Sequence, residues 1–311
     1  LKNRQTFRDI SWLSATYEIV VDGVVKRKGK LALTSLGSGK TKRIKVPSIR
    51  GLSGDIRLNI TWKTKRAEVW CDRGHVVAWD QLTVKSARPK KNQVSKKRFE
   101  TLNIEPQLSL FRASIDNDGF KLLPNLAWVE TTTLKRWQQQ GIDGDVSQLV
   151  KNQVKRVVRP DGSERFEHEI VIPKTLDDLP RIGVSFPLPE GFTEISWWGN
   201  GPHECYPDRQ SSAMMGIFSG QADELPYLVP QEYGLRTSCR WFEVSNPKTK
   251  EVIRIESDGA ELHMSALPYT TQDLYQAADQ TELVKRPYLT MNIDIAHRGL
   301  GTASCGPDVL P

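Results

Sequence analysis

The strongest constraint on the fold is the stretch DIRLNITWK, residues 55–63. Ile56, Leu58, Ile60 and Trp62 alternate with Arg57, Asn59 and Thr61, and a period of two puts them on opposite faces of a half-buried strand. The pattern recurs along the chain. YEIVVDGVVKRKGKLAL carries two apolar runs around Asp22-Gly23, a hairpin signal, and HVVAWDQLTV supplies a further strand. Residues 10–84 thus read as a small β-sandwich of immunoglobulin size. Later, RFEHEIVIP (entered through the PDG turn at residues 160–162), RIGVSF, GLRTSCRWFEV, EVIRIESDGAELHMSAL and YLTMNIDIAH alternate too. One helix is expected in PNLAWVETTTLKRWQQQG. There Leu126, Val129, Thr133/Leu134 and Trp137 recur at helical spacing, with Pro124 near the start and Gly141 at the end. The fold class is all-β, with residues 1–86 one sandwich, 87–98 a basic linker and 99–311 a larger antiparallel sandwich.

At 311 residues the chain accommodates two domains, and a composition 38% hydrophobic and 26% charged is that of a globular protein. No apolar run of 18 residues occurs, so no membrane partner is expected. The opening LKNRQTF, with no Met and no signal-peptide core, suggests a fragment or processed chain. Part of the net charge of +7 lies in KSARPKKNQVSKKR, residues 85–98. Without interleaved aromatics to stack on bases, this run reads as a solvated linker, and no nucleic-acid partner is expected. Cys71, Cys205, Cys239 and Cys305 form no CxxC pair, so free thiols in a reducing, cytoplasmic compartment are the expectation, and no metal site.

Three segments hold the polar residues that could do chemistry. In SWWGNGPHECYPDRQSS, residues 196–212, glycines allow tight turns and Glu204 can pair with Arg209 across the loop. In FRASIDNDGF, residues 111–120, Asp116, Asn117 and Asp118 cluster without the spacing of a calcium hand and suit a turn or a pocket rim. In AHRGLGTASCGPDVLP, Gly299, Gly301 and Gly306 make a loop with His297, Arg298, Ser304 and Cys305, but no orienting carboxylate stands beside a nucleophile. No paired carboxylates of the kind glycoside hydrolysis needs can be recognised.

Together these segments resemble the C-terminal part of the large β-galactosidases. AEVWCDRGHVVAWDQLTV is similar to the end of their fourth, immunoglobulin-like domain. LFRASIDNDG resembles an Arg-Ala-Pro-Thr-Asp-Asn-Asp segment, with Ser114 where Pro is usual. WWGNGPHECYPDR resembles a Gly-x-Gly-Pro-x-Glu-x-Tyr-Pro-Asp-Arg motif, and YLVPQEYGLRTSCRW and GLGTASCGP follow in the family's order. The resemblance implies a fifth domain of the galactose-mutarotase-like supersandwich type. It places the two catalytic glutamates on a barrel upstream, so this chain carries no catalytic residue and is inactive alone. It makes Asn117, Gly119, Ser304 and Cys305 candidates for the pocket on the aglycone side, with Cys305 where some members carry a stacking Trp. Arg112, Asp116, Asp118, Glu204, Tyr206, Asp208 and Arg209 become structural motif residues. It implies terminal β-galactosides such as lactose as substrate, the missing N-terminal domains as partner, and a homo-oligomeric parent. No cofactor is expected in this chain, the family's magnesium and sodium ions lying mainly outside it. The rival reading is a stand-alone carbohydrate-binding module presenting Trp197, Trp198 or Trp128.

Overall fold

A computed structural model describes residues 1–32, 35–87, 104–122, 132–223, 226–257, 259–303 and 308–309. The chain divides into two compact units, residues 1–92 and 93–311. Beyond residue 87 the basic run lies outside the described residues, as does Trp128.

In the first unit β1 (Leu13–Val21), β2 (Val24–Leu31), β3 (Ile56–Thr64) and β4 (Val76–Lys85) form one antiparallel sheet in the order β2-β1-β3-β4. The β1–β2 hairpin turns on Asp22 and Gly23, both at positive φ (50° and 79°), the two-residue turn whose twist matches that of the strands. Ile56, Leu58, Ile60 and Trp62 are all buried on one face of β3, as the alternation requires. They pack with Leu13, Ala15 and Ile19 of β1, and the non-strand residues Ile10 and Leu36 join the same core.

The second unit is built on two sheets. β8 (Arg181–Pro187), β5 (Gln107–Ser109), β11 (Arg236–Cys239), β14 (Leu262–Leu267) and β15 (Thr290–His297) form a five-stranded sheet in the order β11-β14-β15-β8-β5. β9 (Glu194–Gly201), β10 (Met214–Gln221), β12 (Trp241–Ser245) and β13 (Val252–Glu256) form a four-stranded sheet in the order β10-β9-β12-β13. Phe186, Met264, Ala266 and Met291 from the first sheet share one core with Trp197, Phe242, Val244 and Ile253 from the second. A separate hairpin, β6 (Lys151–Val158) with β7 (Glu164–Val171), turns through Gly162 at φ 83°.

Three expectations change. GLRTSCRWFEV is two strands in different sheets: Ser238 adopts φ 54°, the register of β11 shifts there, and the backbone N–H of Arg240 donates to Trp198 O at 2.7 Å as β12 begins. The helix expected over 124–141 is described as α1 (Thr133–Gln139), capped by Thr132 accepting from Lys135 N; residues 123–131 lie outside the described set. Its Leu134 and Trp137 are buried, and Gly141 at φ 71° ends it. A second helix, α2 (Thr271–Gln276), is present, and its Thr270–Asp273 capping box is the local signal that alternation alone overlooks.

Trp197 and Trp198 are 2% and 4% exposed, because β9 has β10 and β12 as neighbours and its two faces are both covered. They offer no stacking surface to a sugar, which corrects the binding-module reading at these positions.

Candidate functional site

The motif segments, far apart in sequence, meet at one end of the second unit. Arg112 sits just after β5, fully buried, and its guanidinium forks onto Asp118: Nη1–Oδ2 is 2.7 Å and Nη2–Oδ1 is 3.0 Å. The same guanidinium lies 5.2 Å from the Trp137 ring centroid and donates to Gly299 O at 3.4 Å. Asp118 also accepts from Ile115 N at 2.8 Å, closing a single 3-10 turn, Asp116–Asp118. Gly119 follows at φ 136°, where any Cβ would meet the Thr132 side chain. Burial alone would lower the Arg112 pKa, but Asp118 first, with Glu232 and Tyr206, outweighs it and raises the pKa of the guanidinium.

The second segment contributes a tight turn. Arg209 N donates to Tyr206 O at 2.8 Å, so Asp208 stands at the tip. Its two carboxylate oxygens accept from Leu300 N at 3.0 Å and Gly301 N at 2.8 Å. Gly299 is required here, since a Cβ would lie 2.5 Å from Asp208 Cγ. Asn117 Nδ2 donates to Gly301 O at 2.6 Å from the opposite side. Residues 299–301 are therefore gripped by Asp208 from one segment and by Asn117 and Arg112 from another. Glu204 pairs with Arg209 at 2.6 Å and accepts from Gly234 N at 2.7 Å.

Beneath this grip lies a buried ionisable layer. Tyr206 is wholly buried, its hydroxyl 3.5 Å from Glu232 Oε1. His297 Nε2 faces the same carboxylate oxygen at 3.7 Å, and its Nδ1 donates to Arg298 O at 2.8 Å. Arg181 pairs with Asp294 at 2.9 Å on neighbouring strands β8 and β15. Burial, then the Glu232 charge, pushes the Tyr206 phenol far above its usual range. Burial would raise Glu232, but His297, Arg181 and Arg112 together hold it below the usual carboxylate range. Asp294 is raised because burial outweighs Arg181.

Of the residues picked from sequence, Arg112, Asp116, Asn117, Asp118, Gly119, Glu204, Tyr206, Asp208 and Arg209 all fall in this region. Ser304 and Cys305 lie outside the described residues. Glu232 lies within the YLVPQEYGLRTSCRW segment without standing out there, and Arg181 and Asp294 escape a reading based on motifs. The available signal was a charged residue on the buried face of an otherwise apolar strand, as in RIGVSF and MNIDIAH. His203 Nε2 meets Ser212 Oγ at 2.9 Å, both exposed, but among the described residues no carboxylate is bonded to the other ring nitrogen to complete a triad. A cleft of about 310 Å³ between Phe111, Ile142, Thr270, Gln272 and Tyr288 is lined by neither Asn117 nor Gly119. The described residues contain no group of three or more His, Cys, Asp or Glu side chains able to hold a metal, and no helix long and apolar enough to cross a membrane.

Three carboxylates of this cluster are already committed: Asp118 to an arginine, Asp208 to two amides, Glu204 to an arginine and an amide. Such groups fix loops and are not free to protonate a leaving group or attack a carbon.

Comparison with known proteins bears on the family of the chain. Residues 80–311 match the family described as "Beta galactosidase small chain", and residues 1–85 match "Beta-galactosidase, domain 4". The chain is 28% identical over 343 aligned residues to a β-galactosidase of Arthrobacter sp. (strain B7), covering 89% of this chain and 34% of that protein. It is 24% identical over 369 residues to one of Vibrio vulnificus (strain YJ016), covering 96% and 35%. Over a shorter stretch of 143 residues it is 36% identical to one of Vibrio cholerae, covering 45% of this chain and 13% of that protein. The chain thus spans about a third of the length of the relatives it matches most fully. With two adjoining family matches that together run from residue 1 to residue 311, the chain belongs to the β-galactosidase family, as a portion carrying its domain 4 and its small-chain region.

Proposed function

We propose that this chain is the C-terminal part of a β-galactosidase that hydrolyses terminal β-D-galactosides such as lactose. In this reading the portion scaffolds the enzyme and walls the aglycone side of its pocket. The bond-breaking pair, an acid and a nucleophile in a retaining mechanism, is supplied by polypeptide outside these 311 residues. The single observation that carries the reading is the triple grip on residues 299–301. A backbone segment held by Asp208, Asn117 and Arg112 is a preorganised rim, and Ser304 and Cys305 follow it closely in sequence. With Cys305 in place of a large aromatic, the rim offers little stacking area, so aglycone selectivity rests on hydrogen bonding and shape. The described thiols Cys71, Cys205 and Cys239 form no disulfide, which supports a reducing, cytoplasmic setting. A homo-oligomeric parent is part of the proposal.

The test uses the chain alone and the longer enzyme. The purified chain is expected to leave a chromogenic galactoside uncleaved and to give no heat on titration with lactose. In the longer enzyme Asp208→Ala releases the loop. It removes two charge-assisted bonds of roughly 1.5–3 kcal/mol each, so transfer to bulky acceptors falls about tenfold or more while hydrolysis of a galactoside with a small leaving group keeps its kcat. Turnover by the chain itself, abolished by changing one of its own acidic residues, overturns the proposal. Measurable lactose binding by the chain favours a binding module instead.

A further inference from the structure

Lys121 follows the Asp116–Asp118 turn, and among the described residues its ammonium pairs with no carboxylate. It donates to four backbone carbonyls: Pro230 O at 2.7 Å, Leu274 O at 2.8 Å, Ala277 O at 2.7 Å and Tyr275 O at 3.3 Å. We propose that these four carbonyls form a monovalent-cation cage whose occupant the chain supplies covalently as the Lys121 ammonium, and that removing the amine turns the cage into a site for free potassium or ammonium ion.

Number and type of ligand carry the argument. An ammonium has three N–H bonds, and here it meets four oxygens, one more than it can satisfy with straight hydrogen bonds. A spherical ion has no such limit, and a convergent set of neutral carbonyl oxygens is the shell that replaces the hydration of a hard singly charged ion. The oxygens converge for reasons of fold. Leu274, Tyr275 and Ala277 lie in the last turn of α2 and just past its end, where carbonyls lack helical partners. Pro230 brings the fourth from a distant loop. Among the described residues no carboxylate enters the shell; burial lowers the Lys121 pKa, and the charges of Asp116 and Glu282 offset part of that cost. The short distances suit an ammonium-sized ion, which means potassium more than the smaller sodium or lithium.

The resemblance to β-galactosidases leads one to expect inorganic ions in the parent enzyme. At this cage the described residues do not fit a resident ion, because Lys121 fills it. The lysine ties the Asp116–Asp118 turn to the loop preceding Glu232 and to the end of α2, holding the foundations of the rim without depending on the salt around it. The inference stands independently of whether the chain contributes to galactoside hydrolysis.

Thermal unfolding of the 311-residue chain and its Lys121→Met variant is measured in tetramethylammonium, lithium, sodium, potassium and ammonium chlorides at equal ionic strength. The unsubstituted chain is expected to melt at the same temperature in all five. K121M is expected to melt lower in tetramethylammonium and lithium chlorides, and to regain about 2–4 °C or more in potassium or ammonium, saturably with ion concentration. Lys121→Gln, which keeps part of the stem, repeats the series. If neither variant survives purification, refolding yield is read in potassium against tetramethylammonium, and recovery only in potassium supports the cage. Equal melting of the variants in all salts, a potassium requirement in the unsubstituted chain, or failure of both variants to fold in every salt overturns it.

Discussion

Arg112 shows what one side chain controls. Wholly buried, it joins Asp118, the Trp137 ring and Gly299 O, three segments that share no sequence neighbourhood. Removing one partner of a buried pair leaves an uncompensated charge, which costs about 3–5 kcal/mol. Arg112→Met is therefore expected to lower unfolding stability by that order in urea titrations. Arg112→Met with Asp118→Leu is expected to recover a substantial part, because the pair's worth lies in mutual neutralisation. His263 on β14 gives a residue-scale pH prediction. Burial, then the proximity of His297, lowers its pKa to about 4. Ser238 N donates to its Nδ1 at 3.3 Å, which requires that nitrogen to be unprotonated. The unfolded chain protonates this histidine near its ordinary pKa of about 6.5, whereas the folded chain does so only near 4. Stability contributed by the neutral ring is thus present above about pH 6.5 and is lost as pH falls toward 4, by an amount on the order of 1–3 kcal/mol. His263→Gln is expected to flatten that slope, read from denaturation midpoints at pH 7 and pH 5. At this scale the motif residues were legible because their types and spacing are local. Lys121 was not, because its four acceptors lie 109 to 156 residues further along the chain and are backbone atoms that leave no trace in side-chain pattern.

At the scale of elements, strands that bury one face announced themselves. Ile56, Leu58, Ile60 and Trp62 of β3 were readable because water on one side and core on the other impose a period of two. β8 was harder, since it buries Arg181, Gly183 and Phe186 while Ile182 packs against a different core from Phe186. Gly183 is explained only by its partner strand: a Cβ there would collide with Asp294 Oδ1 and Ile293 O on β15. Gly183→Ala is expected to push β15 away and strain the Arg181–Asp294 pair, costing about 3 kcal/mol or more. The same change at Gly220, which meets nothing within 4 Å, is expected to move stability by no more than about 0.5 kcal/mol. Paired urea titrations of the two variants check the contrast. The division of GLRTSCRWFEV between two sheets was illegible for a related reason. Alternation continues across the step at residues 238–240, and only the left-handed backbone of Ser238 marks it.

For the whole molecule, the separate cores of residues 1–92 and 93–311 predict two unfolding events. Scanning calorimetry is expected to give a calorimetric enthalpy exceeding the van't Hoff value, and a single transition with equal enthalpies would refute this. The all-β class was legible because the strands are many and regular. The order of strands within the sheets was not, since register depends on partners more than a hundred residues apart. One consequence of that order concerns how the protein is made. β15, the last described strand in sequence, lies inside the five-stranded sheet, between β14 and β8. A ribosome releases it after every neighbour, so throughout synthesis β8 and β14 wait with bare hydrogen-bonding edges facing each other across a strand-wide gap. The nascent chain must be shielded from pairing those edges wrongly until its final described strand emerges to close the sheet.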